Sequence, residues 1–147
     1  MQEERVTDSD RIIYTPTAFA KSNLLYLQEA GILETDAAPV RVQEKLASFL
    51  FMLVTKGSGM LTYDGNTYQL KKGDCVFINC RKPYAYASSE ELWTLKWIHF
   101  NGYNMSGIYE QYIENGGQTK ITPPPLSALL RKTDGTNFYG SEGFRGK

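Results

Sequence analysis

Short apolar runs separated by turn residues follow one another from residue 11 to residue 100. The run SFLFMLV at Ser48–Val54 is apolar at every position after the serine, which predicts a strand buried on both faces. GMLTY and NTYQL flank Asp64-Gly65, a pair that favours a type I′ hairpin because both central residues of that turn need positive φ. NLLYLQEAGIL at Asn23–Leu33 would also suit a helix, but Gly31 and the β-rich surroundings favour a strand. With further strands expected at 11–14, 39–43, 74–79 and 92–100, the pattern predicts a small β-sandwich or barrel.

The periodicity changes after Gly102, where apolar residues recur at intervals of three and four. This spacing predicts an amphipathic helix at about 104–115, ended by Gly116-Gly117 as a left-handed cap. Its apolar face is expected to pack either on the chain's own sheet or on a second subunit, and the pattern favours neither. The face consists of Met105, Ile108, Tyr109, Tyr112 and Ile113. PPPLSALLRK at 123–132 predicts a further helical turn, and the glycine-rich residues 133–147 are expected to be poorly ordered.

Composition narrows the partners and the compartment. The chain has 147 residues, and its 16 Lys and Arg balance its 16 Asp and Glu, so no net charge would attract nucleic acid to it. The N-terminus MQEERVTDSD is charged and lacks the apolar stretch of a signal peptide. The longest apolar run, Phe49–Val54, is too short to span a bilayer. We therefore expect one cytoplasmic domain with no membrane partner.

Both cysteines lie in KKGDCVFINCRKPYAY, at Cys75 and Cys80. Their odd separation would place them on opposite faces of one extended strand, where they could not share a metal ion. A zinc site would also need more ligands nearby, and the sequence has one histidine, His99. We expect two free thiols used in packing, and a histidine that is satisfied by hydrogen bonds in the core or at its rim.

The segment GSGMLTYDGNTYQLKKGDCVFINCRKPYAY, followed by WTLKWIHFNG, resembles the N-terminal ligand-binding and dimerisation domain of AraC/XylS-type transcription regulators. The resemblance covers about residues 12–115. It implies a mainly β, cupin-like double-stranded β-helix, which is a small β-barrel, followed by a C-terminal α-helix. The matching features are Gly57 and Gly59, the hairpin at 64–65, Gly73-Asp74, the strand at 75–78, Pro83 with Tyr84 and Tyr86, and the strand at 93–102.

The sequence departs from the metal-dependent cupin enzymes that share this fold. Those enzymes carry a His-x-His pair and a carboxylate after the first glycine turn, and a further histidine after the second. Here the two places read GMLTYDGNTYQL and RKPYAY, with Tyr84 where a histidine is common. Because a mononuclear iron or manganese site needs histidine and carboxylate ligands, we expect no catalytic residues, no metal and no other cofactor.

The resemblance implies a small carbohydrate-like effector inside the barrel. Strand alternation places Trp93, Leu95, Trp97 and His99 on one face of the last strand. Trp97 matches a tryptophan that stacks on the sugar in arabinose-type sensors, while Tyr86 and Arg41 match hydrogen-bonding residues of that family. The expected ligand-binding set is Trp97, Tyr86, Arg41, Trp93, Tyr84 and His99. In the alternative, the tryptophans fill the core, the tyrosines line an empty rim and Arg41 forms an exposed salt bridge.

These features predict an N-terminal arm (1–15), a cupin barrel (16–102), a helical dimerisation segment that looks truncated (103–132) and a tail (133–147). We expect the effector-sensing domain of an AraC-type regulator, acting as a homodimer. Family members bind DNA through helix–turn–helix units, and this sequence contains no basic recognition helix, so DNA would be bound through a domain absent from it. The chain is then truncated, the product of an interrupted gene, or a stand-alone barrel. The alternatives are a cupin enzyme (a sugar isomerase or metal-dependent oxygenase) and a ligand-free scaffold barrel.

Overall fold

The computed structural model describes residues 6–35, 40–42, 46–89 and 92–124. Within these ranges the chain forms ten strands and two helices, so the predicted mainly β class with a C-terminal helix is confirmed. The elements are β1 Val6–Ile13, α1 Ala18–Asn23, β2 Leu25–Thr35, β3 Val40–Val42, β4 Phe49–Lys56, β5 Ser58–Tyr63, β6 Asn66–Lys71, β7 Cys75–Asn79, β8 Tyr84–Ser88, β9 Trp93–Gly102, α2 Met105–Glu114 and β10 Lys120–Ile121. Neither of these helices is long and apolar enough to cross a membrane.

The strands form two antiparallel sheets that face each other. The larger sheet has the order β1-β2-β9-β4-β7-β10, and the smaller has the order β3-β8-β5-β6. Inward side chains from both sheets share one buried core, which makes the structure a barrel of two layers. The core includes Leu50, Met52 and Val54 from β4, Trp93 and Leu95 from β9, Leu61 and Tyr63 from β5, and Tyr84 from β8.

The β5–β6 hairpin has the predicted geometry. Asp64 and Gly65 have φ values of 51° and 80°, and Tyr63 pairs with Asn66 across the two-residue turn. These are the two positive φ angles that a type I′ turn requires. The turn therefore sets the register between β5 and β6 from local sequence alone.

Several boundaries differ from the sequence prediction. β1 begins at Val6 rather than Arg11, and pairs with β2 along its length. The segment at 23–33 is a strand, as predicted, but it begins at Leu25 because the short helix α1 precedes it. Thr17 caps that helix by accepting a hydrogen bond from the Ala20 backbone N–H at 3.1 Å. α1 buries no residue, so it has no apolar period that the sequence analysis could detect.

The prediction that β4 is buried on both faces is wrong on its outer face. Phe49 is fully buried there, whereas Phe51 is 36% exposed. The reason is that α2 covers only part of the outer surface of the large sheet. Tyr109 packs on Phe49 and Phe77, with ring centroids 5.4 Å and 5.1 Å apart. The sheet beyond this contact stays open to solvent.

The helix α2 lies within one residue of its predicted bounds at both ends. Of its apolar face, Met105 and Tyr109 are buried and Tyr112 is half-buried against the outer sheet surface. Ile108 and Ile113 remain 44% and 42% exposed. The helix thus packs on its own sheet through three of the five predicted side chains.

Some predictions lie outside the described residues. The helical turn expected at 123–132 is among them from residue 125 onward. So are the tail at 133–147 and the first five residues of the N-terminal arm. Strand β3 covers Val40–Val42 of the strand expected at 39–43.

Candidate ligand-binding site

The inward face of β9 is the one that the alternation predicted. Trp93 and Leu95 are 1% exposed, whereas Lys96 and Ile98 of the opposite face are exposed. Gly59 on β5 makes room for the indole of Trp93, because a Cβ at this glycine would overlap the ring and the Ala87 carbonyl. Trp93 therefore fills the closed part of the barrel.

Trp97 lies further along the same face and is half-buried beside the core. It pairs with Gly31 of β2, and a Cβ on that glycine would approach Trp97 Cζ2 to 2.5 Å and the Asp10 carbonyl to 2.9 Å. Because Gly31 has no side chain, Cζ2 and Cη2 of the indole can occupy the space beside this part of the strand backbone. This contact explains why a glycine can stand in the middle of a long strand.

The two tyrosines of β8 also point inward. Their rings stack with centroids 6.3 Å apart and planes 10° apart, and Tyr86 packs at 6.3 Å from Trp93. Burial raises the pKa of Tyr86 to about 12, and Glu29 and Cys80 nearby add to this. Burial also raises the pKa of Tyr84, and the neighbouring Cys80 and Tyr86 side chains contribute to this increase. Both phenols are therefore neutral hydrogen-bonding groups at ordinary pH.

Cys80 and His99 meet at the end of the barrel where β4 begins. His99 Nδ1 lies 2.9 Å from Ser48 Oγ and 3.9 Å from Cys80 Sγ. Burial lowers the pKa of His99, opposed by the nearby Glu29 carboxylate. Burial raises the pKa of the Cys80 thiol to about 11, while hydrogen bonds to Tyr84 and Ser48 oppose this increase. The histidine and the thiol are thus uncharged partners in a buried polar network.

Both cysteines are free, as predicted. Cys75 is half-buried on β7, whereas Cys80 follows the end of that strand in a turn and is completely buried. In the part of the chain that the structure describes, no three His, Cys, Asp or Glu side chains lie close enough together to hold a metal ion.

A cavity of about 590 Å³ opens beside this network, within the size range of small-molecule sites. We call it the rim cavity. The chain between β1 and α1 forms one wall, β2 and β9 form the floor, and the residues before β4 complete it. Its lining consists of Ile13, Tyr14, Pro16, Lys21, Tyr26, Gln28, Glu29, Leu46, Ala47, Ser48, His99 and Asn101.

A β-bulge shapes the floor of the rim cavity. On β2, Leu27 pairs with Phe100 and Glu29 with His99, so Gln28 is an extra residue without a partner on β9. The Gln28 carbonyl accepts a hydrogen bond from the Tyr14 backbone N–H at 2.9 Å, which attaches the segment after β1 to the floor. Bulges of this kind re-aim a side chain, and here the affected residue is Gln28.

The Gln28 side chain leaves one atom unsatisfied. Its Nε2 donates to the Ala47 carbonyl at 3.0 Å, and Asn101 Nδ2 donates to the same carbonyl at 3.0 Å. The Gln28 Oε1 atom is buried and has no hydrogen-bond partner among the described residues. Rotating the amide by 180° would bring two oxygens together at Ala47, so the orientation is determined. A buried carbonyl oxygen without a donor is costly, and this one is also closed to solvent.

The predicted ligand-binding residues are therefore divided between two regions. His99 lines the rim cavity, whereas Trp93, Tyr84, Tyr86 and Trp97 lie in or against the barrel core. Arg41 is placed on β3 opposite Ala85, and its side chain lies outside the described atoms.

Four further residues of the cavity lining were not predicted from the sequence: Lys21, Gln28, Glu29 and Ser48. Two of them, Gln28 and Glu29, could have been identified as candidates because they form a polar pair inside an otherwise apolar strand pattern. The other two residues come from distant segments that meet only in the fold.

A second cavity, of about 710 Å³, lies between α2 and the β5–β6 hairpin, and Tyr63, Tyr68 and Tyr109 contribute to its walls. It is outside the barrel. Its tyrosine Tyr63 is satisfied by Asn79, whose backbone N–H donates to the phenol oxygen at 3.1 Å. The rim cavity is the stronger candidate because the hydrogen-bonded polar pair Ser48 and His99 lines it.

Several solved structures are similar to this chain. YhaK from Escherichia coli is similar over 66% of this chain and 46% of that one, with 10% identity and a TM-score of 0.53. An HTH_3 family transcriptional regulator from Vibrio cholerae is similar over 63% and 51%, with 17% identity and a TM-score of 0.49. The Cupin_2 domain of an XRE family transcriptional regulator from Enterobacter cloacae is similar over 62% and 94%, with 17% identity and a TM-score of 0.47.

The chain spans about half the length of the first two of these structures. No curated protein matches the sequence. The predicted cupin-like fold is confirmed, and the family described as "AraC-like ligand binding domain" matches residues 27–133. That match includes most of β2, the barrel core and α2, together with seven of the twelve residues that line the rim cavity. The chain therefore belongs to the AraC-like ligand binding domains.

Proposed function

We propose that this domain senses a small carbohydrate-like effector in the rim cavity and dimerises, as the regulatory part of an AraC-type transcription regulator. DNA would be bound by a helix–turn–helix domain outside this chain. The observation that carries the proposal is a cavity of about 590 Å³ at the end of the barrel, lined by the polar side chains of Gln28, Ser48 and His99. Sugar hydroxyls can both donate and accept hydrogen bonds, so they suit a cavity wall that contains the hydrogen-bonded His99–Ser48 pair.

The position of the cavity supplies a mechanism for sensing. One wall is the segment from Ile13 to Lys21, which joins the edge strand β1 to α1. A ligand held between this wall and the floor of the cavity stabilises the arrangement in which the segment lies against the barrel. Ligand binding then shifts the population of that arrangement, and an attached domain that contacts the segment responds to the shift.

Thermal unfolding with a panel of neutral and charged sugars tests effector binding. A ligand at about 100 times its Kd should stabilise the domain by about 2.7 kcal/mol and raise Tm by several degrees. Gln28→Met should reduce the shift, because it replaces a polar side chain that lines the cavity with an apolar one. Gln69→Met, at an exposed position on β6, is the matched control and should retain it. If no sugar in the panel changes Tm, a carbohydrate effector is excluded.

The proposed dimer contact is on α2. Met105, Tyr109 and Tyr112 are already used within the subunit, so Ile108 and Ile113 are the members of the apolar face that a second copy can cover. Sedimentation equilibrium of Ile108→Asp should show monomers at concentrations where the wild type is dimeric. Ile98→Asp changes an exposed residue on the outer surface of β9 and is the control. If Ile98→Asp dissociates the dimer and Ile108→Asp does not, the interface is the sheet surface instead of the helix.

A further inference from the structure

The outer surface of the large sheet carries an apolar row that crosses five strands. Its members pair directly across neighbouring strands, so their side chains lie side by side on one face of the sheet. We call it the outer row, and from β1 to β7 it consists of Ile12, Ala30, Ile98, Phe51 and Phe77. Ile12, Ile98 and Phe51 are exposed. A contiguous exposed apolar surface of this kind marks a place where another segment or protein packs.

Helix α2 covers only the β7 end of the outer row. Tyr109 packs there on Phe77, with ring centroids 5.1 Å apart, and on Phe49 beside the row, with ring centroids 5.4 Å apart. Further along the row, Phe51 and Ile98 stay open to solvent. The surface next to α2, on β4 and β9, is therefore left uncovered by the described residues.

The described part of the chain ends beside this open surface. Ile121 of β10 pairs with Cys75 of β7, which lies two residues from Phe77 on the same face of the sheet. The next residue, Thr122, is fixed in place because its Oγ1 donates to the buried Asp74 carboxylate at 2.9 Å. Since three residues span at most about 10 Å, the chain after residue 124 starts near the β7 end of the outer row.

The segment that follows, PLSALLRK at 125–132, has the pattern and the length to cover the opening. Leu126, Leu129 and Leu130 recur at intervals of three and four residues, which places them on one face of a helix. Eight helical residues are about 12 Å long, and the three strand spacings from β10 to β9 add up to about 14 Å. The family match extends to residue 133 and so includes this segment.

We propose that residues 125–132 dock as a helix on the open part of the outer row, with their three leucines against Phe51 and Ile98. Removal of both apolar surfaces from water favours this docking. Ile98 and His99 are consecutive on β9 and face opposite sides of the sheet, so the docked segment and the rim cavity lie on the two faces of one strand. The docking also fixes the point from which any chain after residue 132 leaves the barrel.

Hydrogen–deuterium exchange of the full chain, measured by mass spectrometry on peptides that cover 125–132, tests the docking. The last four amides of the segment should exchange at least tenfold more slowly than in a synthetic peptide of residues 123–134, because so short a helix is not stable without packing. Ile98→Asp should return them to the peptide rate, since it places a carboxylate under the leucines. Met60→Asp is the matched control, because Met60 is 42% exposed on the small sheet and Ile98 is 39% exposed, and it should keep the protection.

A second pair of variants changes the segment and leaves the sheet intact. Leu129→Asp should also bring exchange to the peptide rate, whereas Ser127→Asp, on the other side of the predicted helix, should leave it slow. Circular dichroism melting checks that the barrel of each variant is folded.

Three results would overturn the proposal. Exchange at the peptide rate in the wild type would show that the segment does not dock. Protection that is lost in Leu129→Asp but kept in Ile98→Asp would mean that the segment packs elsewhere. Protection that appears only at concentrations where the protein is dimeric would make a second copy the partner of the segment. No effector is present in any of these measurements, so their failure leaves the sensing function standing.

Discussion

Placing a methyl group on Gly31 should destabilise the protein, because Trp97 and β1 occupy the space on the two sides of this glycine. An alanine Cβ would lie 2.5 Å from Trp97 Cζ2 and 2.9 Å from the Asp10 carbonyl oxygen. One of the two must move, and overpacking of this kind costs about 1–3 kcal/mol. A loss of about 2 kcal/mol would lower Tm by roughly 5–8 °C in a domain of this size.

Gly107→Ala is the matched control, because it is the same substitution in open surroundings. Gly107 lies in the exposed part of α2, and an added Cβ would meet no atom within 4 Å. Alanine is favoured over glycine in a helix by about 0.5–1 kcal/mol, so Tm should rise by roughly 2–4 °C. The same chemical change is thus expected to act with opposite sign at the two sites.

Thermal unfolding measured by circular dichroism, together with tryptophan emission of the folded protein, checks both predictions. Gly31→Ala should change the emission spectrum because it displaces the half-buried indole of Trp97, whereas Gly107→Ala should leave the spectrum unaltered. A Gly31→Ala protein with wild-type Tm and wild-type emission would refute the proposed packing of Trp97 against the β2 backbone.

Three further predictions concern buried polar groups. Thr122→Val should lower the free energy of unfolding in urea by about 1.5–3 kcal/mol, because Thr122 Oγ1 donates to the buried Asp74 carboxylate at 2.9 Å; Thr122→Ser should retain most of that energy. Burial lowers the pKa of His99 from 6.5, so the neutral imidazole stabilises the fold above pH 6.5, and this stabilisation is lost as pH falls through the folded-state pKa. The urea midpoint of the wild type should therefore decline over this pH range. An equal decline in His99→Gln would show that another group causes it. A disulfide reagent at pH 8 should modify Cys75 before Cys80, since Cys80 is fully buried and its pKa is raised to about 11, and equal rates would contradict that burial.

Local pattern was sufficient for the strands of the barrel core. The alternation along Trp93–His99 identified the inward face of β9 correctly, because successive side chains of a strand point to opposite faces wherever the strand is placed. The Asp64-Gly65 hairpin was predictable for a similar reason, since its φ angles depend on the two residues themselves. The helix α2 followed from its apolar period of three and four residues.

Burial of the outer sheet surface could not be predicted from the same pattern. Phe49 and Phe51 are both apolar residues on the outer face of β4, yet one is fully buried and the other is 36% exposed. Alternation determines the face to which a side chain belongs, but not what covers that face. The position of α2 on the sheet decides which outer residues are buried, because Tyr109 of this helix packs on Phe49 and Phe77.

The sequence by itself therefore determined the β class of this protein, its hairpin, its terminal helix and the residues available to a barrel core. Only the tertiary structure decided where the candidate site lies. Ser48 and His99 are 51 residues apart in the chain and 2.9 Å apart in the fold. The rim cavity depends on the bulge at Gln28 and on the return of the segment after β1 across β2. Local periodicity reports only the neighbours of a residue in the chain, whereas a binding site is made by the register between strands that are distant in sequence.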